Sequence, residues 1–186
     1  GLPTVNGQPA TDLAVIKPEY VTHYEFGFKS NPAENLIINA VYHNTDIKDY
    51  QTNVNSPQLN VNRGYIANAE SVNVKGVELD VNYKPNNVLS FYGSLNYTDG
   101  KYVKFTNAPL PLELTGLKSI EKPSQDSAFA DISGSRLPGI SKWAASLGGE
   151  LTLPTNFFGN EGKFFVALEG FYRSEFSSNQ IGRAHV

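Results

Sequence analysis

In six stretches of this chain every second side chain is uncharged: Tyr24–Ser30, Leu36–Asn44, Val77–Tyr83, Leu89–Tyr97, Trp143–Leu153 and Phe164–Tyr172. The alternate positions carry Glu25, Lys29, Glu78, Asp80, Glu150, Glu169 and Arg173, together with His23, Asn39, His43, Asn82, Ser94 and Asn96. A period of two places successive side chains on opposite faces of a strand. Each stretch is therefore predicted to be a strand with one charge-free face and one wet face. A lipid environment imposes that rule, because Lys or Arg at the bilayer midplane costs roughly 2–4 kcal/mol. A soluble β-sandwich imposes it too, by burying one face of each sheet.

Three details separate these alternatives. The strand-like segments are Val21–Ser30, Leu36–Lys48, Ile66–Lys84, Val88–Lys104, Ser141–Leu153 and Lys163–Glu175, and several are twice the length of a usual globular strand of about five or six residues. Their connections alternate in length. Asn31–Asn35, Pro85–Asn87 and Pro154–Gly162 are short to medium, whereas Asp49–Tyr65 and Phe105–Ile140 are long and polar, and residues 1–19 look like the end of another long loop. Aromatic residues are also sorted by depth. Tyr24, Tyr42, Tyr97, Trp143 and Tyr172 stand at the long-loop ends, with Ala40, Gly93, Leu95, Leu147 and Val166 mid-strand. Tyr and Trp suit a membrane–water boundary, with the ring in lipid and the polar tip in water, and a sandwich core gives no reason for such sorting.

The pattern also repeats. Glu25–Lys48 and Glu78–Lys101 align without a gap 53 residues apart. Each is a strand, a Pro/Asn turn and a longer strand closing on Thr-Asp-x-Lys, at Thr45–Lys48 and Thr98–Lys101. A repeated hairpin with long loops at one end is the signature of an antiparallel transmembrane β-barrel wall. The Thr-Asp-x-Lys ends are expected to be polar exits from the membrane.

Composition closes other routes. No apolar run approaches the roughly 18 residues of a membrane-spanning helix. There is no Cys, which excludes disulfides and thiolate chemistry. A net charge of −3 offers no basic footprint for nucleic acid. The three histidines are scattered without a zinc-protease spacing, and no nucleophile elbow or phosphate loop is present. The carboxylates are expected to be interior wall charges pairing with Lys29 and Arg173. No enzyme, metal site or cofactor is expected. With no Met and a leading Gly, the chain is expected to be a piece of a longer protein.

Several segments resemble a known family. Lys17-Pro18-Glu19 followed by HYEFGFKS is similar to the KPE…YE-x-G-x-K segment of TonB-dependent outer-membrane receptors. NAVYHNTDIKDYQ resembles the strand that follows, and NAESVNVKGVELDVNYKP its KGVELE strand. GSRLP at Gly134–Pro138 with KWAASLGGEL, and FYRSEF, resemble two later segments, in family order. The resemblance implies a 22-stranded barrel plugged by an N-terminal domain in a Gram-negative outer membrane. Such receptors import scarce ligands such as ferric siderophores, with energy from the TonB complex. This chain would supply about six strands over residues 1–180, without the plug, the TonB box or the closing strand. Ile181–Val186 departs from the pattern and is read as a non-native tail. Tyr50, Arg63, Tyr65 and Arg136, in the two long loops, are the candidate ligand contacts, because aromatic and guanidinium groups suit anionic or aromatic ligands. The alternatives are a passive porin-like channel and a secreted all-β binding or adhesion domain.

Overall fold

The computed structural model describes residues 4–5, 8–9, 15–55, 64–110 and 129–178. Ten strands run in chain order: β1 (Thr4–Val5), β2 (Gln8–Pro9), β3 (Tyr20–Ala33), β4 (Leu36–Asn55), β5 (Gly64–Tyr83), β6 (Leu89–Lys104), β7 (Ala108–Pro109), β8 (Phe129–Ala130), β9 (Trp143–Phe157) and β10 (Asn160–Arg173). Six of them form one antiparallel meander in the order β10-β9-β6-β5-β4-β3. β1 pairs with β2 and β7 with β8 in two small ribbons.

Register turns the six charge-free stretches into one continuous face. Tyr42 stands opposite Phe26 on β3 and Val77 on β5. Val77 opposes Tyr97, and Tyr97 opposes Trp143. Nearer the short turns, Leu168, Gly149, Phe91, Tyr83 and Leu36 stand in succession across five strands. Directly opposed residues in antiparallel strands share a face, so the predicted sorting closes without a misfit. Nothing among the described residues covers this face. Phe26 is 73% exposed, Leu147 69% and Leu168 77%. The second sheet that a sandwich requires is absent from the described residues.

Two predicted connections differ. Pro154–Gly162 was expected to be a medium turn, but β9 runs to Phe157 and the chain reverses over Phe158 and Gly159 alone. Both have positive φ, 52° and 82°, the pairing that matches strand twist in a two-residue hairpin. Pro154 is tolerated because the preceding alternate residue, Thr152, donates its N–H to the backbone O of Val88, the residue just ahead of β6. Beyond that point no neighbouring strand asks Pro154 for a donor.

The predicted loop Asp49–Tyr65 is also largely strand. β4 continues to Asn55 and β5 begins at Gly64. Residues 56–63 lie outside the described part. The ladder skips one step, from Lys48↔Ser71 to Tyr50↔Ala69, and Asp49 adopts a left-handed φ of 53°. The alternation changes phase there. Ile47 and Tyr50, three residues apart, pack on the same apolar cluster, as do Ala69 and Val72. That phase change hid the continuation from a period-two reading.

The apolar cluster is the one substantial core of the described residues, and it lies at the long-loop end. Ala69, Val72, Tyr102, Phe105, Ala108, Ile132 and Leu137 are buried, with Ile47, Tyr50, Val74, Ala130 and Ile140 against them. It sits on the charge-bearing face, on the same parity as His43 and Gly76. The described parts of the predicted irregular loop Phe105–Ile140, residues 105–110 and 129–140, therefore fold back over the inside of the wall.

Candidate functional site at the inner mouth

The segment after β6 is tied down by backbone pairing. Leu137 N–H donates to Gly100 O (2.9 Å), Tyr102 N–H to Ser135 O (2.9 Å) and Ile132 N–H to Phe105 O (3.0 Å). Phe105 N–H donates to Ser133 Oγ at 3.0 Å. Glycine at position 100 leaves room for this packing, since a Cβ there would stand 2.6 Å from Ile140 Cδ1 and 3.1 Å from Leu137 Cδ1 and those methyls would have to shift. Glu70 fastens the far side by accepting hydrogen bonds from the Thr106 hydroxyl and from its backbone N–H. Burial alone would raise the Glu70 pKa. The Thr106 bonds, a bond from its own backbone and nearby Lys104 outweigh it and hold the carboxyl below its ordinary value.

A second tie explains the Lys17-Pro18-Glu19 motif. Lys17 N–H donates to Asn68 Oδ1 (2.8 Å), and Asn68 Nδ2 returns bonds to Lys17 O (3.1 Å) and Asp49 O (2.6 Å). Glu19 accepts from Gln51 N–H at 2.6 Å, and Gln51 Nε2 donates to Lys17 O at 3.1 Å. Lys17 Nζ lies 3.8 Å from Asp49. Three of the family-like segments thus hold one another together, and Asp49 is fixed in its left-handed conformation by the same set. Gln51, Asn68, Glu70 and Thr106 were not singled out from sequence. Gln51, Asn68 and Glu70 lie inside the quoted motif segments, which was the available signal.

The four candidate ligand contacts separate. Tyr50 and Tyr65 lie on the inner side of the β4–β5 extension, opposite Ala69 and Val54 respectively. Burial raises the Tyr50 phenol pKa, and Glu19 adds to it; burial alone raises that of Tyr65. The Tyr102 phenol is raised by burial too, with nearby Thr52 opposing the shift and Tyr50 adding to it. Both candidate tyrosines are therefore neutral donors at physiological pH. Arg63 lies outside the described residues. Arg136 is exposed and bridges to Lys101; the structure does not bring it to the tyrosines.

Below this cluster the inner face is polar. His23 Nδ1 and Thr45 Oγ1 are 2.7 Å apart, and Ser94 and Ser146 share a 2.8 Å bond. The expected pairing of carboxylates with Lys29 and Arg173 is not found among the described residues. Arg173 donates instead to Ser141 Oγ (2.6 Å) and Gly139 O (3.2 Å), and lies over the Phe176 ring. It anchors the start of β9 because the geometry places a hydroxyl and a carbonyl, not an acid, within its reach. Glu25 has His23 as neighbour at 3.6 Å. Gly76, within the KGVELD stretch, admits the His43 imidazole, whose Nε2 would meet a Cβ at 2.6 Å. Among the described residues no group of three or more His, Asp or Glu is placed to hold a metal ion.

Comparison with known proteins agrees with this architecture. The solved structure of the protein titled "Copper transporter OprC" superposes with a TM-score of 0.51 at 18% identity, covering 85% of this chain and 24% of that one. At that identity the likeness concerns fold, and this chain spans about a quarter of that protein. No curated protein matches the sequence. The family described as "TonB dependent receptor-like, beta-barrel" matches residues 2–184. With its unbroken lipid-type face and a loop-filled inner mouth, the chain belongs to the TonB-dependent receptor β-barrel family, a family of outer-membrane transport rather than catalysis.

Proposed function

We propose that this chain is a six-strand portion of a 22-stranded, plugged barrel that captures a scarce ligand, such as a ferric siderophore, outside the cell and imports it with TonB-supplied energy. The observation that carries the reading is the single uncharged face spanning all six long strands, bordered at the long-loop end by Tyr42, Tyr97 and Trp143. Such a face needs hydrocarbon on one side, and β3 and β10 each have an edge that neighbouring barrel strands would pair. Tyr50 and Tyr65, with Arg63 two residues before Tyr65 in sequence, are the ligand contacts of this proposal. Their place on the inner side of the mouth and their neutral phenols suit hydrogen bonding to an anionic chelate.

The test is uptake by cells expressing the full-length receptor that contains this chain. Labelled ferric siderophores and copper are supplied in parallel, with and without a functional TonB complex. TonB-dependent iron accumulation is the expected result. TonB-independent entry of unrelated small solutes would establish the passive channel instead. Uptake of copper alone would move the cargo to the metal named in the structural relative's title.

A further inference from the structure

Below the mouth cluster the inward face divides into two sectors. On β3, β4 and β5 it is charged or amide-bearing, with Glu25, Lys29, Asn39, Glu78 and Asp80. On β10 it turns aromatic. Phe165 opposes Thr152, Glu169 opposes Gly148 and Phe171 opposes Ser146, so the two rings share the inward parity of Glu169. Among the described residues they are the only phenylalanines facing inward on the six long strands. A single row shows the change: Phe171, Ser146, Ser94, Asp80, Asn39 and Lys29 stand in succession across the six strands.

Phe165 is 65% exposed and Phe171 85%. A further strand paired on the free edge of β10 would cover that edge and leave this face open. Between the two rings, Glu169 is exposed and has no ion-pair partner among the described residues. Arg173, the nearest cation on β10, is committed to Ser141 and Gly139. Tyr92 carries the apolar strip across to β6. Its ring lies over Gly148, where a Cβ would collide with it, and Gly148 stands opposite Glu169.

Two large rings on either side of an unpaired carboxylate suit neither bare water nor an anion. They suit a cation carried between apolar side chains. The carboxylate gives it a charge-assisted bond, the ring faces attract it, and apolar neighbours exclude water from both. The cover must also be resident. A scarce ligand would leave the rings in water for most of the receptor's life, whereas another part of the same protein covers them at all times. We propose that the strip Phe165–Glu169–Phe171, with Tyr92, is a one-sided seat for the N-terminal plug. The plug surface resting on it carries a Lys or Arg between apolar side chains. The seat presupposes the plugged barrel proposed above; it adds which side of the wall holds the plug and by what chemistry.

The test uses the full-length receptor in outer membranes. A photoreactive benzoylphenylalanine replaces Phe171, or the outward Leu168 as the comparison. Irradiation should join position 171 to a plug peptide with Lys or Arg among apolar residues, and position 168 to no polypeptide. An adduct of position 171 with an acidic or wholly polar plug peptide, with a second copy of the receptor or with no polypeptide overturns the proposal. Plug adducts from position 168 and none from 171 would overturn the face assignment along with it. Planar-bilayer conductance gives a second readout. Phe165→Asn combined with Phe171→Asn should raise the frequency of channel openings in urea at least about tenfold, because losing a buried ring removes more than one decade of stabilisation. Glu169→Arg should also raise it, and exchanging the cross-linked plug cation for Glu in that variant should restore closure. Unchanged openings in the double Asn variant, or no rescue by the charge exchange, overturn the proposal. Heat-modifiable gel mobility verifies that each variant is a folded barrel. A wild-type receptor that conducts freely without urea would instead defeat the plugged reading itself, and the seat with it.

Discussion

The wall has two regions that share one alternation but wear it inside out. On the lower part of β5, Val77, Leu79, Val81 and Tyr83 face outward, and Glu78 and Asp80 face inward. On the part just above, Lys75 and Asn73 face outward, and Val74 and Val72 face the buried cluster. No step in the β4–β5 register separates the halves between Tyr83 and Ser71. β6 does the same, passing from Leu95 and Tyr97 to Asp99 and Lys101 outside, and from Asn96 to Tyr102 inside. The backbone geometry is constant across the boundary; what changes is the medium outside. Where hydrocarbon lies outside, outward carbon needs no cover and the interior is wet. Where water lies outside, the strands need a core of their own, and the chain supplies it from the Phe105–Ile140 connection.

Breaking the upper core should have the largest effect and leave the lower region alone. Phe105 is 1% exposed, and its ring centroid lies 5.2 Å from that of Tyr102 with the planes tilted by 48°. Phe105→Ala should cost roughly 3–5 kcal/mol locally. Hydrogen exchange in the full receptor should show lost protection over Tyr102–Ala108 and Phe129–Leu137, with β9 and β10 amides unchanged. Equal loss in both would mean that the regions unfold as one unit. The next largest effect contrasts two positions on one face of one strand. Leu79→Arg places a cation against lipid and should cost roughly 2–4 kcal/mol, whereas Asn73→Arg, in the outward polar band, should cost little. Denaturant unfolding in lipid bilayers, followed by gel mobility, measures both.

The lower region was legible in the sequence and the upper one was not, for a physical reason. Charge exclusion by lipid is absolute enough to mark every second residue, so Phe26, Leu79, Leu95 and Leu168 could be assigned to one face before any register was known. Above the boundary the same period persists with the opposite polarity. The Thr-Asp-x-Lys ends, read as polar exits, are still strand, with Asp46, Lys48, Asp99 and Lys101 facing outward. The left-handed Asp49 then shifts the phase, which made Tyr50–Asn55 look irregular. The buried role of Phe105, Ile132 and Leu137 depends on contacts across about thirty residues of chain, which no local pattern encodes. Of the candidate contacts, Tyr50 and Tyr65 were singled out by residue type in a stretch read as loop; both lie on strands, and their side of the hairpin depended on that phase shift.

The smaller effects test the two fastenings of the upper region. Asn68→Ala removes three hydrogen bonds that join Lys17 and Asp49. At about 0.5–1.5 kcal/mol for each bond, reduced by water at a partly exposed site, roughly 1–2 kcal/mol is expected. Exchange protection around Gln51 should fall, and Asn68→Asp, which keeps an acceptor for Lys17 N–H, should lose less. The smallest effect is a pH dependence at Glu70. Its carboxyl pKa is lowered in the folded state, so the folded protein binds the proton less readily than the unfolded chain. The stability this contributes is complete above the ordinary Glu range near about pH 4.3 and is lost as pH falls through the folded value. The protection of the Thr106 amide, taken relative to its intrinsic exchange rate at each pH, should therefore fall on acidification below about pH 4 in the wild-type receptor, while the β9 and β10 amides keep their relative protection. In Glu70→Gln the bond to Thr106 can persist without the charge, and the same acidification should leave Thr106 unmoved; an equal acid response in that variant would place the sensitivity elsewhere in the mouth.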